Sequence, residues 1–203
     1  MGPSGVIVVT AGLLKVLDNP RMSPTGVIDM AKSSTFPAYT APILVLGLGN
    51  PGAGDAGLGS ILLDELAHRY QYAGGFIEFL DGGTEGVELI KRFPGRQAIV
   101  VLDAFSTDGA AGAVSVLEGS EVLRYATGNS AVAHEGDAHE LLATAAFLGD
   151  LPDNFYVVGV HAGDLHDGAP ISAPVRSGIQ AATQRAQEII DHWLVELAEP
   201  VQA

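Results

Sequence analysis

The stretch Ile43-Leu44-Val45-Leu46-Gly47-Leu48-Gly49 runs into Asn50-Pro51-Gly52-Ala53-Gly54-Asp55-Ala56-Gly57 and then into the segment Leu58 to Tyr70. The first part is a continuous apolar run ended by glycine, which suits a strand buried on both faces. The last part, LGSILLDELAHRY, repeats apolar residues at helical spacing, so the whole predicts a β-loop-α unit. Outward from it the alternation continues. GGFIEFLD (74–81) predicts a second strand, GTEGVELIKRF (83–93) a helix and QAIVVLDAF (97–105) a third strand. GAVSVLEG (112–119) adds a short strand, and HELLATAAFLGDLP (139–152) a helix stopped by Gly149 and Pro152. NFYVVGVH (154–161) is another apolar strand, and residues 173–199 form a long C-terminal helix. The pattern defines an α/β class with a mostly parallel, twisted sheet between two helical layers.

The 203 residues suit one domain, and 47% apolar residues supply ample material for its core. We divide the chain into an N-terminal extension (1–42), a single α/β domain (43–198) and a short tail (199–203). The extension carries Pro3, Pro20, Pro24, Pro37 and Pro42 and all three methionines. Within it GVIVVT predicts a strand and AGLLKVLD a short helix. Ten Lys and Arg stand against 24 Asp and Glu, a net charge of −14 that repels phosphate backbones and argues against nucleic acid as a partner. The extension holds Lys15, Arg21 and Lys32 against Asp18 and Asp29, so the acidic excess lies wholly beyond Pro42. No apolar run has the length of a membrane span and the N-terminus has no basic signal region, which predicts a soluble, cytoplasmic chain. The absence of cysteine removes disulfides, thiol nucleophiles and Cys-type metal sites. Any metal must be met by carboxylate and imidazole.

In a parallel sheet the carboxyl ends of the strands gather at one edge, and functional groups are expected there. The three main strands end in Gly49 to Asp55, in Asp81-Gly82-Gly83-Thr84 and at Asp103. Asp55 either belongs to a site or caps the helix that follows it. Asp81, with two glycines directly behind it, is left uncovered by a sharp turn and reads as a site residue, the alternative being a purely structural turn. Asp103 either joins the site or bonds to a neighbouring loop. The segment Ala133-His134-Glu135-Gly136-Asp137-Ala138-His139-Glu140 brings two imidazoles and three carboxylates to the start of a helix, a donor set suited to a divalent transition metal. His134 precedes that helix and is free to aim, as ligand or base, whereas His139 falls in its first turn. His161 and His166 follow the last strand and are further candidates for the same crevice. His68 and His192 sit within helices and face solvent.

Gly47 to Gly52 satisfies G-x-G-x-x-G, but Gly54, Gly57 and Gly59 delay the helix and Asp81 lies too far on for a dinucleotide fingerprint. No G-x-S-x-G occurs, which argues against a serine triad. G-L-G-N-P-G also resembles the opening of peptidyl-tRNA hydrolases, yet the resemblance ends within a few residues.

Five blocks taken together resemble, in order and spacing, the [NiFe]-hydrogenase maturation endopeptidases: LVLGLGNPGAGDAGLG, LDGGTEGVELI, VVLDAFSTDGAAGAV, AHEGDAHELLATAAFLGDLP and GVHAGDLHDGAPIS. The resemblance runs from about Ile43 to the C-terminal helix. It implies a three-layer, phosphorylase/hydrolase-like α/β fold. It also implies removal of the C-terminal extension of a [NiFe]-hydrogenase large-subunit precursor. In that family nickel already loaded in the substrate is the recognition element, so the resemblance implies no permanent cofactor, only the substrate's nickel or a divalent metal in the same site. A monomeric protease is the expected form.

Carried over residue by residue, the family's metal-contacting aspartate of D-G-G-T falls on Asp81 and its histidine on His134, which are also the implied catalytic pair. Gly49, Asn50 and Asp103 are the implied substrate-binding residues. The family's first loop reads G-N-x-x-x-x-D-[DE]-G-x-G, and the second acid of its pair contacts metal; here Asp55 is followed by Ala56. A methyl group cannot coordinate nickel. Either Asp55 or another acid substitutes, or the chain is an inactive homologue that binds the large subunit in a chaperone-like way, or the alanine was introduced deliberately.

Overall fold

The computed structural model describes residues 5–10, 13–18, 40–73, 75–105, 109–127, 138–149 and 151–198. In chain order the strands are β1 (Gly5–Thr10), β2 (Leu13–Asp18), β3 (Ile43–Leu48), β4 (Ile77–Gly83), β5 (Ala98–Phe105), β6 (Val114–Glu118) and β7 (Phe155–His161). The helices are α1 (Leu58–Arg69), α2 (Ser120–Thr127), α3 (Ala138–Leu148) and α4 (Ala173–Ala198). β1 and β2 pair antiparallel, Gly5 opposite Asp18 and Thr10 opposite Leu13, so the helix expected over 11–18 is a strand. Short apolar runs do not distinguish the two by periodicity, and pairing with a neighbouring strand decides.

The main sheet has the order β4-β3-β5-β7-β6, parallel except for β6, which runs antiparallel to β7 at one edge. β3 and β5 are buried along their whole length, as their uninterrupted apolar runs require. Alternate residues serve opposite faces. Val45, Val100, Leu102 and Val158 pack with α1 and α4, whereas Leu46, Ile99, Val101 and Val157 pack with α2, α3 and the segment after β4. On α1 the fully buried Leu58, Leu62 and Leu66 recur every fourth residue and form one stripe against the sheet. Truncating Leu62 to alanine costs about 3 kcal/mol. Gly59 lets α1 lie directly on the strands, since a Cβ there would fall 2.1 Å from the Leu48 carbonyl oxygen and 2.5 Å from that of Leu102.

Two elements differ from the sequence reading. The helix expected over 83–93 is a 3-10 helix over Gly86–Arg92. Its buried Gly86, Leu89 and Ile90, with Phe93 just beyond it, fall at spacings of three and four that suit an α-helix equally well, so the sequence pattern does not separate the two. Phe93 then meets Phe155 edge to face at 5.5 Å. The second difference is α2, whose Val122 and Ala126 are buried four residues apart, with Tyr125 set edge to face on Phe105.

Candidate active site

The strand order reverses direction between β3 and β5: the chain leaves β3 through α1 toward β4, then crosses back to β5 and onward to β7. Such a switch point opens a crevice at the carboxyl ends of its two strands. One wall is the loop after β3. Its Gly49 N–H donates to the Gly83 carbonyl at 2.9 Å, which joins the loop to the end of β4. The exposed Asn50 folds its Oδ1 back onto the Gly52 N–H at 2.9 Å, so its side chain shapes the loop.

Asp81 stands opposite Gly47 in the β3–β4 ladder, on the α1 side of the sheet. It is exposed, and its Oδ1 accepts from the Gly83 N–H at 3.1 Å and from Ser60 Oγ on α1 at 3.3 Å. Those bonds leave Oδ2 for solvent or substrate. Asp103 projects from the other face. It is 3% exposed, its Oδ1 accepts from the Ala104 N–H at 2.7 Å, and its Oδ2 accepts from the N–H of Ala138, the first residue of α3, at 2.8 Å. A carboxylate at a helix N-terminus satisfies a free donor and meets the positive end of the helix dipole. Asp103 thereby fixes the start of the helix that His134 precedes by four residues. His134 itself, with Glu135 and Asp137, lies outside the described residues.

Asp55 does neither of the two things read from the sequence. It makes no cap bond to the helix that follows it, and it is wholly buried rather than turned to the crevice. Its Oδ2 accepts from the N–H groups of Gly163 and Asp164, both at 2.8 Å, and from Ser172 Oγ at 2.9 Å. Its Oδ1 accepts from the Ser172 N–H at 2.7 Å. Burial pushes this carboxyl upward, but the hydrogen bonds from Ser172, Asp164 and Gly163 outweigh it and hold the group below the ordinary aspartate value. A carboxylate with no surface cannot substitute for the acid missing at Ala56. Periodicity and spacing had no means to reveal this bonding, because the partners lie more than 100 residues away.

The remaining histidines divide. His161, at the end of β7, shares a hydrogen bond of 2.9 Å between its Nε2 and Ser115 Oγ and packs against Phe105. His166 is exposed and bonds through Nδ1 to Asp164 Oδ1 at 2.6 Å, a contact that holds the Asp164 carboxyl below its ordinary value. His139 stacks edge to face on Tyr125. Among the described residues no group of three or more His, Asp or Glu is placed to hold a metal ion, and no helix is long and apolar enough to cross a membrane.

The architecture is that of a doubly wound α/β protein, and it resembles that of solved proteins. The hydrogenase maturating endopeptidase HybD from Escherichia coli superposes with a TM-score of 0.63 at 26% identity over 74% of this chain and 92% of that one. In sequence, the chain is 32% identical to the hydrogenase expression/formation protein HupD of Rhizobium leguminosarum bv. viciae over 74% of this chain and 75% of that protein. It is 31% identical to the hydrogenase 2 maturation protease of Escherichia coli K12 over 70% of this chain and 87% of that protein. The profile of the hydrogenase maturation proteases matches residues 61–189. The chain belongs to the hydrogenase maturation protease family.

Proposed function

We propose that this chain is an endopeptidase that removes the C-terminal extension of a [NiFe]-hydrogenase large-subunit precursor after nickel insertion, with the substrate's own nickel as the recognition element. The observation that supports the reading is the Asp103–Ala138 bond, which ties the start of α3, four residues after His134 in sequence, to the end of β5. Asp81 approaches the same edge with an oxygen to spare. Asp81 and His134 engage the nickel, and Asp103 orients the segment that carries the histidine. Gly49 and Asn50 form the wall over which the substrate chain passes.

Nickel held in this way fixes the scissile peptide bond beside a water molecule. The water adds to the carbonyl carbon, the C–N bond breaks, and the departing amine takes a proton. Activation of the water falls either to the nickel as Lewis acid or to Asp81 or His134 as base. The enzyme needs no resident cofactor, and a divalent metal in the same site would meet the same donors. The protease works as a cytoplasmic monomer, and its acidic surface steers a basic extension toward the crevice.

A second reading rests on Ala56. With Asp55 buried, the first loop offers the crevice no carboxylate, which suits a homologue that binds the large subunit without cutting it. Mass spectrometry of a nickel-loaded precursor incubated with the chain and with Ala56→Glu separates the two. Release of a C-terminal peptide by the chain itself supports the protease. Release by Ala56→Glu alone identifies an inactivated form, and release by neither favours the binding protein.

A further inference from the structure

The loop after β3 and the loop after β7 are stitched together by side-chain and backbone hydrogen bonds. Besides the four bonds to its carboxylate, Asp55 donates its own N–H to the Asp164 carbonyl at 2.8 Å, and the Gly168 N–H donates to the Gly52 carbonyl at 2.7 Å. Gly54, at φ +55°, makes the approach possible, because a Cβ there would lie 2.6 Å from the Asp164 carbonyl oxygen. The carboxylate also fixes Ser172, which immediately precedes α4 and whose Oγ accepts from the Val175 N–H at 3.5 Å. One buried charge thus joins the first loop, residues 163–164 and the start of α4.

We propose that Asp55 is a positioning residue that locks the loop after β3 and the loop over 162–172 into one rigid rim, the surface against which the precursor is seated. The inference rests on the protease reading given above. Asp55 has no exposed surface, so it acts on the substrate only through the rim. The rim includes Gly49 and Asn50 on one side and Asp164, His166 and Asp167 on the other. If the two loops move independently, the precursor pays the cost of ordering them when it binds, and affinity falls while the chemical step is spared.

The test uses the full chain and a nickel-loaded large-subunit precursor, with Asp55→Asn and Ser172→Ala. Asparagine keeps the shape but sets an amide NH2 against N–H donors, whereas Ser172→Ala removes a single hydroxyl and leaves the Ser172 backbone bond. Expected for Asp55→Asn is a KM raised roughly tenfold with kcat within about twofold, and a smaller rise for Ser172→Ala. Amide hydrogen exchange at Gly163, Asp164 and Ser172 rises in the same order. A fall in kcat with unchanged KM overturns the proposal, because it makes Asp55 act at the reacting atoms; so does faster exchange with unchanged kinetics, which makes the lock purely structural. If Asp55→Asn fails to fold, Ser172→Ala decides on the same readouts. If the unaltered chain cuts no precursor, the protease reading fails and precursor affinity replaces KM: weaker binding by the variants upholds the rim, and unchanged binding overturns it.

Discussion

Asp103 Oδ2 and the Ala138 N–H, 35 residues apart in sequence, meet at 2.8 Å in a fully buried contact that ties the end of β5 to the first residue of α3. The bond makes the placement of the first residue of α3 a property of the sheet. Asp103→Ala leaves a buried helix donor unsatisfied, with an expected loss of about 1–3 kcal/mol in stability. Processing should fall together with it, and thermal melting beside a precursor-cleavage assay checks both. A variant that melts normally and cuts normally contradicts the assignment.

Asp81 predicts the opposite combination. Its two hydrogen bonds fall on Oδ1, so Asp81→Asn keeps the turn and changes stability by less than about 0.5 kcal/mol. Removing the charge from an exposed site acid should lower processing by roughly 100-fold or more. Equal cleavage by Asp81→Asn and the unaltered chain would remove Asp81 from the site.

Acid should unfold the domain through two identifiable carboxylates. Glu78 is raised by burial but lowered further by the hydrogen bonds and charges of Arg96 and Arg92, and Asp55 is lowered by its ring of donors. A folded-state pKa below the unfolded one contributes stability that is complete above the ordinary values of 4.5 and 3.8 and is lost as pH falls through them and on through the folded-state values. Chemical denaturation from pH 6 down to about pH 3 should show this decline. It should be shallower in Arg96→Met, where Glu78 loses the guanidinium that is 3% exposed and also bonds to the Ala41 carbonyl. An unchanged slope would place the acid sensitivity elsewhere.

Close packing of α1 on the sheet leaves no room at Gly59, so Gly59→Ala should cost about 3 kcal/mol by forcing the helix off Leu48 and Leu102. Melting temperature reads the effect directly. A stable Gly59→Ala protein would mean that α1 shifts freely.

Much of the fold was legible because burial writes itself into composition. β3, β5 and β7 are buried strands and read as apolar runs, and α1 and α4 declare themselves by spacing. The 3-10 helix escaped because its apolar residues also fit an α-helical count, and α2 because it is only eight residues long. At the site, glycines behind Asp81 announced an uncovered carboxylate. Asp55 and Asp103 were ambiguous for one reason: each is defined by backbone donors from a distant segment, and backbone N–H groups have no sequence signature.

The contact of Gly59 with two strands has a consequence for how this crevice can vary between relatives. It anchors the chain three residues after Ala56, and the buried Asp55 anchors it one residue before. Position 56 is therefore held between two anchors, and its own part in the loop is made by its backbone, whose N–H donates to the Ala53 carbonyl at 3.1 Å. The methyl group makes none of these bonds, so an acid given up or regained here by a single codon change is expected to leave the Asp55 network where it is.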